Sequence, residues 1–89
     1  MSIYDDGPAE TNRTRASWAV SALEAFGGET GQDYTDGTLN VDEEDLMEIC
    51  GDLLANLFHL CRINGVDPEE ITRRGHLHFE EEVAEEEIE

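Results

Sequence analysis

The chain contains no lysine. Its only basic residues are five arginines, at positions 13, 15, 62, 73 and 74, against 23 acidic residues. A net charge of −18 on 89 residues repels nucleic-acid phosphates and anionic lipid surfaces, which excludes direct nucleic-acid binding through phosphate contacts. Long apolar runs are also missing. None approaches the ~18 residues that cross a bilayer, so no membrane association by a spanning segment is expected. The first residues, Met1-Ser2-Ile3-Tyr4-Asp5-Asp6, hold neither a basic nor an apolar stretch, so no secretory signal is expected and the predicted setting is the cytoplasm. Cysteine is scarce. Cys50 and Cys61, placed on one helix, stand eleven residues and therefore ~16 Å apart, beyond the ~4.4–6.8 Å Cα separation of a disulfide. They are expected to be reduced, small apolar residues, with a two-cysteine metal site as the alternative. No Ser/His/Asp or Cys/His catalytic set is recognisable. Gly27-Gly28 and Gly31 lack the strand context and the lysine of a phosphate-binding loop.

What is present reads as helix. A chain of this length forms one domain with a thin stability margin. Residues 1–11 have no apolar period and are expected to be a flexible acidic arm. A first helix is predicted over 12–26, capped by Asn12 or Thr11 and ended by Gly27-Gly28, with Ala16, Ala19, Val20, Leu23 and Phe26 at helical spacing. Residues 28–40, rich in glycine and turn formers, read as a loop whose acids do not match the spacing of a calcium-binding hand.

A second helix is predicted over 42–64. Either Asp42 caps it, with Val41 and Leu46 as a hydrophobic staple, or Asn40 does, with Glu43 completing a capping box. Its stripe of Leu46, Ile49, Cys50, Leu53, Leu57, Leu60 and Cys61 is widened by Met47, Leu54 and Phe58 to more than half the circumference. Such a helix must be covered from several sides, which two short neighbours of the same chain do not provide. Self-association, most simply as a two-fold dimer, is expected. A third helix over 67–82 has the clearest start, Asp67-Pro68-Glu69-Glu70, and places Ile71, Gly75, His78, Phe79 and Glu82 on one face. Gly75 is expected to permit close packing. Residues 83–89 read as an acidic tail or frayed helix end. The fold class is thus all-α, a small three-helix domain around a long apolar helix.

Glu48, Asp52 and His59 share the polar face of the second helix. One turn separates the two carboxylates, a spacing that suits a hard cation such as Mg²⁺, while a solvated face explains the same residues without one. His76 and His78 point to different sides of their helix and do not chelate together. Trp18, Phe26, Phe58, His78 and Phe79 are the candidate contact residues for a protein partner.

Two resemblances arise. Asp52-Leu53-Leu54-Ala55-Asn56-Leu57-Phe58-His59-Leu60-Cys61, then Asn64-Gly65-Val66-Asp67, then Arg73-Arg74 and His78-Phe79-Glu80, with Arg15-Ala16-x-Trp18-Ala19 upstream, resembles a group of short helical phage and prophage proteins that carries no function over. Glu48 to Asp52 followed by Gly65 to Ile71 is similar to two helices of MazG-like all-α nucleotide pyrophosphatases. That resemblance implies Mg²⁺ held by a Glu-Glu-x-x-Glu and a Glu-x-x-Asp motif. Asp52 matches the final Asp, but Ile49 stands where the preceding Glu belongs, and the first helix has no Glu-Glu-x-x-Glu.

The sequence therefore predicts a small acidic, non-enzymatic interaction protein of viral or mobile-element type from a halophilic or high-GC host. It is expected to work by protein–protein binding or self-assembly, without a cofactor. Its acidity suits either molar salt or mimicry of DNA charge against a host enzyme. The alternatives are a reduced Mg²⁺-dependent pyrophosphatase and a virion or scaffold component.

Overall fold

The computed structural model describes residues 7–88, which form three α-helices and no strand: α1 Pro8–Thr30, α2 Glu43–Ile63 and α3 Pro68–Glu87. Each helix packs on the other two. The domain is small and all-α.

The helix ends follow from local chemistry, with departures from expectation at both ends of α1 and at the end of α3. α1 starts earlier than predicted, because Pro8 at its first position is preset for helix and Gly7 takes φ 89°. Thr11, expected as a cap, lies inside the helix and donates its hydroxyl to the Gly7 carbonyl at 2.9 Å. The part of the predicted arm before residue 7 lies outside the described residues. α1 also runs past Gly27-Gly28. Its stop is Gly31, left-handed at φ 83°, where the Gly31 and Gln32 amides both donate to the Gly27 carbonyl at 2.8 and 3.1 Å. Gly27 is needed as glycine for another reason. A Cβ there would overlap the carbonyl oxygen of Gln32 as the chain turns back.

α2 starts at the Asp42 cap rather than at Asn40. The Asp42 carboxylate accepts from the Asp45 amide at 3.2 Å, and three acids occupy the first turn, where they favour the positive end of the helix dipole. α2 ends in a Schellman motif: Val66 N–H donates to Cys61 and Gly65 N–H to Arg62, with Gly65 at φ 72°. α3 begins as the sequence indicates, the Asp67 carboxylate accepting from the Glu69 amide at 2.9 Å. Glu70, placed to complete a capping box, turns instead to Arg73 and Arg74, at 2.6 and 3.1 Å. α3 continues through the acidic segment to Glu87.

α1 and α3 are joined by a polar clasp. Asn12 donates to the Glu82 carbonyl at 3.0 Å and to the Glu86 carboxylate at 2.6 Å, and accepts from Arg15 at 2.7 Å. Arg15 pairs with Glu82 at 3.2 Å. Asn12 thus ties two helices together instead of capping one.

The buried core is slight. Among the described residues its apolar members are Val20, Leu23 and Ile49, of which Ile49 alone is fully enclosed, and α3 contributes no buried residue. Gly75 has open space around it, so it serves no close packing. The accessible surface is 6685 Å², against roughly 5,200 Å² for a compact folded chain of this mass. The radius of gyration is 14.7 Å, against about 12 Å.

Candidate interaction surface

The surface is built on α2. Ile49 is driven inward against α1, its Cδ1 beside Gly27. A helix can present only one side to such a contact. The stripe of Met47, Cys50, Leu54, Leu57 and Cys61 lies roughly 120° round from Ile49 at 100° per residue. It is left facing outward. Met47 is 56 % exposed, Leu54 41 % and Leu57 40 %; Cys50 is exposed and Cys61 half-buried. Leu46 and Leu60 flank the stripe and are exposed too. Below it, Ala19 and Ala22 of α1 form one wall of an open recess of about 310 Å³ whose other wall is Cys50, Leu53, Leu54 and Leu57. Isolated exposed leucines are ordinary, but a contiguous apolar band along a whole helix is not.

The opposite side of α2 is polar and tied to the loop after α1. Tyr34 donates its hydroxyl to Glu48 at 3.1 Å, and Gln32 donates its amide to Asp52 at 2.8 Å. The hydrogen bond to Glu48, with the negative charges of Glu48, Asp45 and Asp52 beside it, raises the Tyr34 pKa above its ordinary value. The loop itself turns on Asp36, whose carboxylate accepts from both the amide and the hydroxyl of Thr38, which holds it below the usual carboxylate range.

Of the residues singled out for Mg²⁺, Glu48 and Asp52 line one recess together with Phe26 and Tyr34, while His59 lines another, with Phe58, Arg62 and Pro68. Among the described residues, no group of three or more His, Cys, Asp or Glu side chains is placed to hold a metal ion. The contact candidates are dispersed. Trp18 and Phe79 are exposed, at 57 % and 61 %, His78 is exposed, and Phe26 and Phe58 are half-buried. Phe79 and Ala16 line one recess beside the α1–α3 clasp. Phe26, Phe58 and Phe79 line three separate recesses. The aliphatic band of α2 is instead continuous along one helix face; its spacing is in the sequence, but only the inward position of Ile49 shows which part faces out. No helix among the described residues is long and apolar enough to cross a membrane.

No protein-family model, curated protein or solved structure matches this chain.

Proposed function

We propose that this protein is an interaction module that works by protein association through the outward band of α2, not by catalysis. The observation that carries the reading is the exposure of Met47, Cys50, Leu54 and Leu57 along one face of a helix whose opposite side is already committed to Ile49 and to the Tyr34 and Gln32 latch. Burying such a band is worth about 25 cal/mol per Å² of apolar surface, which a chain with so small a core lacks from within.

The charge fits the same reading. Among the acids of α2, Glu43 alone falls on the band's own face at 100° per residue, so association desolvates few of that helix's carboxylates but does draw together chains of −18. Molar salt shortens the screening length to ~3 Å and removes that repulsion. We read the acidity as adaptation to high salt, and association strengthens as salt rises. A charge mimic of DNA behaves oppositely, its binding weakening steeply with salt.

Cys50 reports on the band directly. Its rate of labelling by a thiol reagent, read by peptide mass spectrometry, is expected to be fast in dilute protein and to fall as protein concentration rises. Slow labelling at every dilution means that the band is closed within one subunit, and defeats the proposal.

A further inference from the structure

The outward residues of α2 follow a rule that the full apolar set hides. Met47, Cys50, Leu54, Leu57 and Cys61 are separated by three, four, three and four residues, the seam of a left-handed coiled coil, and Leu46, Leu53 and Leu60 repeat beside it every seven. Over two heptads that spacing is also the face of any α-helix, and it is a straight apolar stripe that another helix can lie along. A second helix with the same repeat fits it, because each side chain then enters a gap between four others. The helix at hand that carries this repeat is α2 of another copy.

We propose that a second copy of this chain covers the band, its α2 lying antiparallel to the first along the Met47–Cys61 seam. The proposal rests on reading the band as an interaction surface and names its occupant. Charge selects the direction. Asp42, Glu43, Glu44 and Asp45 crowd the start of α2, and Arg62 is at its end. A parallel pair sets one acidic first turn against the other. An antiparallel pair brings each acidic turn toward Arg62 of the other copy and opposes the two helix dipoles.

Layering selects the register. Antiparallel seams pair positions of the two kinds across the interface. Leu54 opposite Leu57 of the second copy also sets Cys50 opposite Cys61 of the second copy. Of the two neighbouring registers, one puts Glu43 into the seam against Cys61 and buries a carboxylate without a partner, and the other sets Leu54 opposite Asn64 and leaves Cys50 beyond the end of the second α2. Ala19 and Ala22 of each α1 are small enough to admit the incoming helix beside the seam. Area agrees as well. The surface exceeds that of a compact chain of this mass by roughly 1,400 Å², more than the ~800 Å² that a standard interface takes from each partner.

The two native thiols test the arrangement. Within one chain they stand ~16 Å apart along α2 and do not join. Diamide, which takes two electrons and two protons from a pair of thiols, is added to native protein in molar salt, and the links are mapped by peptide mass spectrometry. The expected product is an inter-chain Cys50–Cys61 bond, lost in both Cys50→Ser and Cys61→Ser. Cys50–Cys50 or Cys61–Cys61 bonds that survive in those single variants mean a parallel pair and overturn the proposal. No inter-chain bond, with Cys50 still freely labelled, removes the second copy as occupant but leaves the open band for another protein. No bond and no labelling of Cys50 removes both.

Discussion

Truncating Ile49 strikes the centre of the small core. Among the described residues Ile49 is the one fully enclosed large side chain, and its Cδ1 packs beside Gly27 at the α1–α2 crossing. Ile49→Ala deletes three carbons, about 2.4 kcal/mol at ~0.8 kcal/mol each. A cavity that the surrounding helices fill only partly adds about 1 kcal/mol, for a loss of ~3–4 kcal/mol. A chain of this size with three buried apolar side chains has no more than about 5 kcal/mol to lose. Ile49→Ala is therefore expected to keep no more than ~1–2 kcal/mol of stability at room temperature, and Ile49→Val, one carbon smaller, to lose about 1 kcal/mol. Urea titration followed by far-ultraviolet circular dichroism, at one protein concentration for all variants, measures both. The control is Ile63→Ala at the 82 % exposed end of α2, expected within ~0.5 kcal/mol of the parent. If Ile49→Ala costs no more than Ile63→Ala, the core lies elsewhere and the account of the α1–α2 crossing is wrong.

Neighbouring glycines should respond with opposite sign. Gly28→Ala and Gly75→Ala, each in a helix with open space around it, are expected to raise stability by up to ~1 kcal/mol, whereas Gly27→Ala should lower it because the new Cβ meets the Gln32 carbonyl; thermal melts decide. Asn12→Ala breaks the α1–α3 clasp at a half-exposed site. It should cost about 1 kcal/mol and speed amide exchange near the end of α3, and unchanged exchange there would show that the clasp holds nothing. Glu70, held by Arg73 and Arg74, has its pKa lowered to about 2 from 4.5. A carboxylate with a depressed folded-state value stabilises above pH ~4.5 and loses that contribution as pH falls toward 2. At low salt the melting temperature should therefore fall more steeply with acid in the parent than in Glu70→Gln, and molar salt should close the gap because the pair is solvent-exposed. Equal slopes at low salt refute the pairing.

The end of α2 and the start of α3 were legible because their signals are local: Asp67-Pro68 and Gly65 each act within a few residues of where they stand. The start of α2 was legible to within a choice between Asp42 and Asn40, and the end of α3 was not, because its run of acids reads as a solvated tail as readily as a helix. The end of α1 was not, since Gly27, Gly28 and Gly31 all read as stops and only the close approach of Gln32 tells them apart. Asn12 looked like a cap because its partners lie seventy residues and more along the chain, where no local pattern points to them. Gly75 looked like a packing residue, yet it faces open space. The greasy stretch of α2 was visible in full. The outward repeat from Met47 to Cys61 emerged only when Ile49 was seen to take the inward side, because periodicity alone does not say which part of a broad stripe a small core leaves uncovered. The latch from Tyr34 to Glu48 and from Gln32 to Asp52 had no sequence signal, and it changes what two carboxylates on a polar face are doing.

The most direct measurement is the molar mass of the native protein by sedimentation equilibrium at low and at molar salt. The account predicts a particle of two chains of 10.0 kDa each, more strongly associated in molar salt. A single chain at both salt concentrations, at every protein concentration reached, would contradict it.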